Sequence, residues 1–340
     1  MMSSLAGRIF AGTARLVPQA AVLPFARPAA VFFHGIERQI DDDVLQNNHH
    51  EREAFIVLMR ELRTRFDVLP LSALDAVLKD PEKHGRALFL MADDGYANLL
   101  DAADILEELQ MPWTLFVSTR HIGSTERNPM FRARAFLRYA PIGKYVLPHV
   151  GEVDFFARER AAEEARVVAS LKMLPAESAR ETLGAMDGAL KEAGLGELGS
   201  LFPSDAFLSW AEVKALARRG VTIGAHAHWH WPMNVRQPHA HLLEQAMLPK
   251  RLIEAEVGTC TAFAYPFGNV DDVCRGAWHA VRDAGYTSAF TTLSGTLDAS
   301  TNRFLLPRHA LGARRRGLSS EIAMLRAGNR RLRRRQYELR

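Results

Sequence analysis

The sequence has 340 residues, 48% hydrophobic and 24% charged, with a formal net charge of +4. That balance fits a globular protein with a large core and excludes a disordered acidic chain. Two cysteines, Cys260 and Cys274, exclude a disulfide framework and a cysteine metal knuckle, and no apolar run reaches the ~20 residues of a membrane span.

Residues 1–28 scatter Arg8, Arg15 and Arg27 among Pro18, Pro24 and Pro28. This makes a poor secretion signal and predicts a cytoplasmic protein. Ala29–Phe33 reads as a buried strand ending in His34-Gly35. Asp41–Asp43 reads as a solvated charge run and His49-His50 as exposed, just ahead of a helix with Phe55, Leu58, Met59, Leu62 and Phe66 on one face. Val68-Leu69-Pro70 predicts a short strand, and Ser72 with Asp75 predicts a capped helix after it. The apolar run Ala87-Leu88-Phe89-Leu90 leads into Met91-Ala92-Asp93-Asp94-Gly95-Tyr96, then Leu99, Leu100, Ala103 and Leu106 at helical spacing. Two carboxylates thus stand at a strand's C-terminal end, where they repel unless a cation or shared proton relieves them, and Gly95 permits the turn. Trp113–Val117 is a further strand. Strand and helix alternate, which argues for a parallel sheet or barrel.

Residues 121–205 break that rhythm. With helical periodicity over 156–171 and 177–190 and no clear strand, they read as a helical insertion on the rim. Ser209-Trp210-Ala211-Glu212 is a capping box whose helix closes at Gly220. Val221–Gly224 then runs into Ala225-His226-Ala227-His228-Trp229-His230. Thr261–Ala264 ends in Tyr265-Pro266-Phe267-Gly268, a helix over 271–284 follows, and Ser288–Thr291 is another strand. Phe304–Pro307 forms the last strand and delivers Arg308 and His309. From Arg314 onward ten arginines face two glutamates, a basic tail over 313–340 suited to peripheral contact with an anionic membrane surface. Nucleic acid is not expected as a partner, because no binding fold or interleaved aromatics accompany the tail.

His34, the Asp pair, the His226 cluster, Tyr265–Gly268 and Arg308 all fall at or just past C-terminal ends of strands. In a closed parallel barrel that is one face, the one where active sites assemble. His226 and His230 stand four apart, which in a helical turn puts both imidazoles on one side; with Asp94 they make a three-ligand metal site with open positions. His228 points elsewhere in such a turn and reads as a bystander or as a residue that supports the ligands from behind.

These motifs resemble those of the polysaccharide deacetylase family of the NodB-homology type, metal-dependent enzymes that remove acetyl groups from sugars. Met91–Gly95 is similar to the family's Thr-Phe-Asp-Asp-Gly motif, His226–His230 to its His-Ser/Thr-x-x-His motif, and Tyr265–Gly268 to one form of its third motif. Val31–Gly35 resembles a segment of circularly permuted members, in which the catalytic-acid histidine precedes the Asp pair. The resemblance implies a distorted (β/α)7-type TIM-like barrel over 29–312 that carries the insertion. It implies Asp94, His226 and His230 as ligands of a divalent ion, zinc first and cobalt or nickel as alternatives. Asp93 is then the base, His34 the acid, Arg308 the residue that aligns Asp93, and Tyr265, Phe267 and Gly268 the substrate contacts. The implied substrate is an acylated sugar or polysaccharide precursor of the cell envelope. The alternatives are a nucleotide- or lipid-linked sugar or small amide that is deformylated or deacetylated, or a non-catalytic carbohydrate-binding relative. Met91-Ala92, Ala227 and Ala264, the last where many members place an arginine, depart from the family pattern.

Overall fold

The computed structural model describes residues 27–156, 159–196 and 202–313; the chain through residue 26 and the basic tail from residue 314 lie outside the described residues. In chain order come β1 (Ala29–Phe33), the parallel pair β2 (Gly35–Glu37) and β3 (His49–Glu51), α1 (Arg52–Arg65), β4 (Asp67–Val68), α2 (Leu74–Lys79), β5 (Ala87–Ala92), α3 (Leu99–Glu108) and β6 (Trp113–Val117). The insertion supplies α4 (Pro129–Tyr139), β7 (Lys144–Leu147), β8 (Gly151–Asp154), α5 (Arg160–Lys172) and α6 (Ala176–Glu192). The chain returns to the barrel with α7 (Trp210–Arg218), β9 (Thr222–Ala225), α8 (His239–Val257), β10 (Ala262–Ala264), α9 (Arg275–Asp283), β11 (Ser288–Phe290) and β12 (His309–Ala310).

The main sheet is parallel in the order β11-β10-β9-β6-β5-β1-β12, with β4 joined to β5. Leu306 bridges Phe290 of β11, while His309 and Ala310 pair with β1, so one segment reaches both ends of the sheet. The result is a distorted TIM-like barrel. Side chains alternate across its wall, as strand geometry demands. Ala30, Phe32, Phe89, Met91, Phe116, Phe290 and Leu306 share one buried cluster, whereas Val31, Phe33, Leu88, Leu90 and Phe263 pack with the helices in another.

Several boundaries differ from the sequence reading. Ser72 caps nothing: Leu71–Ala73 is a 3-10 turn, and α2 starts from Ala73 without a side-chain cap. Leu71 and Leu74 both belong to the inner cluster, and their spacing of three suits the tighter turn. The helix expected over 271–284 begins at Arg275, because Asp272 is buried, accepts from the Asn269 amide at 3.3 Å and pairs with Lys172 at 2.7 Å. The last strand is displaced to β12. Asp42 is buried rather than solvated, its Oδ1 accepting from the amides of Val44 (2.8 Å) and Leu45 (3.0 Å). His49 and His50, expected exposed, are also buried.

The insertion is not wholly helical. β7 and β8 form an antiparallel hairpin, and they pack with α4, α5 and α6 on a second core of Phe131, Phe136, Leu171, Leu183 and Met186. Trp231 from the loop after β9 joins that core and donates to the Leu174 carbonyl at 3.2 Å. The insertion therefore packs directly on the segment that carries the paired histidines. No helix among the described residues is long and apolar enough to cross a membrane.

Candidate metal centre

The loops leaving β1, β5, β9 and β10 meet at one rim around a cavity of about 400 Å³. His34, Asp93, Asp94, His226, His230 and Phe267 all line it. After β5 the Asp93 amide donates to the Phe33 carbonyl at 3.0 Å, tying the Asp pair to β1. Asp94 takes a left-handed φ of 75° and Gly95 follows at 90°. A Cβ on Gly95 would meet only the movable tip of Ile122 at 2.9 Å, so it is the φ of 90° that asks for glycine.

The paired histidines converge, but not on a helix. Ala227 and His230 have φ of 59° and 51°, which a right-handed turn forbids, and the segment is irregular. The rings still meet, with centroids 5.0 Å apart. His228 points away as expected, its Nδ1 lying 2.8 Å from Thr119 Oγ1, and burial pulls its imidazole down to about 4. Of the six non-glycine residues with positive φ among those described, Asp94, Ala227, His230 and Phe267 are at this site. Strain concentrated in this way marks a geometry that the surrounding fold enforces.

Asp94 Oδ1 lies 2.9 Å from His230 Nε2 and 3.3 Å from His226 Nε2, and all three side chains are buried. One donor atom from each falls within 4.8 Å of the others. His226 Nδ1 is 2.8 Å from the Ala264 carbonyl, which only accepts, so the proton sits on Nδ1. In the neutral ring the Nε2 lone pair then faces the Asp94 carboxylate, and Asp94 Oδ1 has no hydrogen bond. Lone pair against carboxylate is repulsive until a proton on Nε2 or a metal cation stands between them. Burial works to raise the Asp94 carboxyl, yet His230 and His226 hold it well below its usual range; burial works to lower His226, yet Asp93 and Asp94 raise it. Two imidazoles and one carboxylate are a donor set for a divalent metal ion, with the Ala264 carbonyl fixing the tautomer of one ring.

Asp93 is held differently. Arg308 Nη1 and Nη2 donate to its two carboxylate oxygens at 2.7 and 2.8 Å, a bidentate pair with both partners buried. Burial works to raise the Asp93 carboxyl, and Arg308 followed by His226 more than offsets it, so the group stays below its ordinary value. Arg308 thus reaches the carboxylate from the segment just ahead of β12. Burial lowers His34, against Asp94 and Asp93, which raise it. Phe267 forms a wall of the cavity, its ring 5.1 Å from that of His230. Gly268 is crowded: a Cβ there would lie 2.7 Å from the Thr292 amide nitrogen. Tyr265 is placed elsewhere, fully buried among core residues with its hydroxyl donating to the Phe304 carbonyl at 3.0 Å, so its side chain does not reach the cavity.

Other cavity residues escaped the sequence reading. Asn128, Met130, Phe131 and Arg134 come from the insertion at α4, and Asp205 from its exit. Asn128-Pro129 was a legible helix start: the Asn128 side chain accepts from the Met130 amide at 2.8 Å and proline occupies the first turn. Nothing in the sequence marked Asp205.

A family profile described as polysaccharide deacetylase matches residues 80–289, which takes in the Asp pair, the paired histidines and Tyr265–Gly268 but not His34 or Arg308. The sequence matches no curated protein. Among solved structures, the fold is similar to IcaB from Ammonifex degensii (TM-score 0.56, 12% identity, 89% of this chain and 97% of that one). It is also similar to the Streptococcus pyogenes deacetylase PplD in complex with acetate (0.55, 13%, 85% and 93%) and to a polysaccharide deacetylase from Bacillus cereus (0.53, 13%, 88% and 69%). The expectation of a circularly permuted chain is overturned. Asp94 on the loop after β5 precedes His226 and His230 on the loop after β9, the unpermuted order of these ligands, and a strand bearing His34 ahead of them leaves that order intact. With more than half of its length matched by the profile, the chain belongs to the polysaccharide deacetylase family.

Proposed function

We propose that the protein is a metal-dependent hydrolase that removes an N-acetyl or related acyl group from a sugar or polysaccharide precursor. The observation that carries this reading is the buried trio in which Asp94 Oδ1 lies 2.9 and 3.3 Å from two imidazole nitrogens, beside a carboxylate that Arg308 keeps ionised. Asp94, His226 and His230 would hold the ion, zinc best suiting the mixed nitrogen and oxygen donors. When bound, such an ion supplies a Lewis acid that acidifies water and polarises the acyl carbonyl. Asp93 takes a proton from the attacking water, and Arg308 keeps that carboxylate aligned and charged until it does. The Phe267 amide N–H donates to the developing oxyanion, on a loop pinned by Thr292 Oγ1 bonding the Phe267 carbonyl at 2.5 Å. His34, whose imidazole burial lowers, would act as the acid, gaining the proton that Asp93 takes from water and passing it to the departing amine.

The test is elemental analysis of purified protein together with acetate and formate release from acylated sugars. Wild type is expected to carry about one divalent ion per chain, and His226→Ala to lose both metal and turnover. Metal uptake without release of either acid would replace this reading with the non-catalytic one. For His34→Ala, metal content should hold while amide hydrolysis falls about a hundredfold or more and activated esters suffer far less, because only the amide needs its leaving group protonated. Equal losses on both substrates would remove the relay role.

A further inference from the structure

Asp205 ends a short 3-10 turn, Pro203–Asp205, where the insertion rejoins the barrel, and it is 2% exposed. Its backbone is firmly set. Ser204 Oγ accepts from Gln46 Nε2 at 3.0 Å and the Ser204 carbonyl faces His49 Nε2 at 3.3 Å. The next residues run beside the Asp-pair loop, Ala97 donating to the Ala206 carbonyl at 2.8 Å and Leu208 to the Gly95 carbonyl at 2.9 Å. The backbone that turns after Asp94 therefore also presents Asp205 to the cavity.

Although it lines the cavity, Asp205 Oδ2 is buried and has no hydrogen-bond partner. Burial pushes its carboxyl up to about 8, against the pull of Arg127 and Arg134. A buried oxygen left unmatched in the free protein is unfavourable unless a ligand completes it. The other orphaned carboxylate oxygen of this cavity, on Asp94, faces the ion-binding position; Asp205 is outside the Asp94, His226 and His230 cluster and does not serve the same purpose. A hydroxyl both gives and takes a hydrogen bond, so it satisfies this carboxyl whether protonated or ionised. Arg134 and Asn47, bonded to each other at 3.2 Å, line the same cavity and add donors suited to further hydroxyl oxygens.

We propose that Asp205 is a substrate-binding residue that engages a ring hydroxyl of the acylated sugar and so positions its acyl group over the Asp93–Asp94 pair. This rests on the deacetylase reading above and extends it to the part of the substrate that does not react. The insertion would then select sugars over other amides and esters.

The test compares wild type, Asp205→Ala and Asp205→Asn. Binding to metal-stripped protein is measured by calorimetry with N-acetylglucosamine oligomers and O-acetylated xylo-oligosaccharides. Asp205→Ala should weaken the best of these about tenfold, while Asp205→Asn, whose amide still gives and takes, should stay within about threefold. In the metal-loaded enzyme the same change should appear as a raised KM with kcat little altered. A structural role predicts a lower unfolding midpoint for Asp205→Ala; the binding role predicts a midpoint equal to wild type or above it. Wild-type affinity in Asp205→Ala, or no binding of any acetylated oligosaccharide by wild type, would overturn the assignment. A protein that binds the oligomers in this Asp205-dependent way but releases no acetate would overturn the deacetylase reading and leave the contact standing.

Discussion

Arg308→Ala is expected to lower folding stability by about 3–5 kcal/mol at neutral pH, the range for removing one partner of a buried ion pair. Arg308 is fully buried, gives both guanidinium nitrogens to Asp93, and donates Nε to the Thr291 carbonyl at 3.1 Å. Its planar head lies 4.3 Å from the Phe32 ring and 5.5 Å from that of Phe116, so it also fills the inner core. Removing it strands the Asp93 carboxylate beside Asp94, with burial then acting unopposed by its strongest partner. Asp93 has a folded value below its unfolded one, so its contribution to stability is present above the ordinary aspartate value of about 3.9 and is lost as pH falls through the folded value. The variant loses that contribution equally at pH 4.5 and pH 7.5, but without Arg308 burial raises the Asp93 carboxyl above its unfolded value, which adds a penalty that grows as pH rises above about 3.9; the deficit should therefore be larger near pH 7.5 than near pH 4.5. Denaturant unfolding at the two pH values checks this. An equal deficit at both would assign the loss to packing around Phe32 and Phe116 rather than to charge. Arg308→Lys should recover only part, since an ammonium cannot make the two parallel bonds.

The barrel was legible in the sequence because its strands are short apolar runs buried on both faces, and because His34, the Asp pair and His226 stand directly after them. Trp113–Val117 was read to the residue, and the capping box at Ser209 and Glu212 is present with both of its bonds. The ligand trio was legible for the same reason, although a helical turn was the wrong device: two left-handed residues do the work of bringing His226 and His230 together. What escaped depended on distant contacts. Polarity argued for exposure of His49 and His50, but pairing of β2 with β3 buries them. The hairpin of β7 and β8 has only four residues a strand and no clean exposed-buried alternation, so it does not register against the charged segments around it. Asp205 looks like any polar loop residue until its neighbours Ala206 and Leu208 pair with the loop after Asp94.

Asp93→Asn is expected to keep the metal and lose turnover by about 10²–10⁴-fold, the usual contribution of a positioned general base. The shape of the side chain is preserved, and the ion-facing oxygen belongs to Asp94, so metal content should match wild type while Asp94→Ala loses it. The substitution also leaves Arg308 buried beside a neutral partner, which destabilises the protein and blurs the reading of any loss in activity. A double variant separates the two effects. Arg308→Met removes the stranded charge and retains much of the volume, so Asp93→Asn combined with Arg308→Met should regain most of the stability lost by either single change. It should regain none of the turnover, because no carboxylate remains to accept the proton. If the double variant recovers both, Asp93 acts only as the anchor for Arg308. If Asp93→Asn alone hydrolyses acetylated sugar within tenfold of wild type while holding its metal, the proton goes elsewhere and the base must be sought among the other groups at the rim.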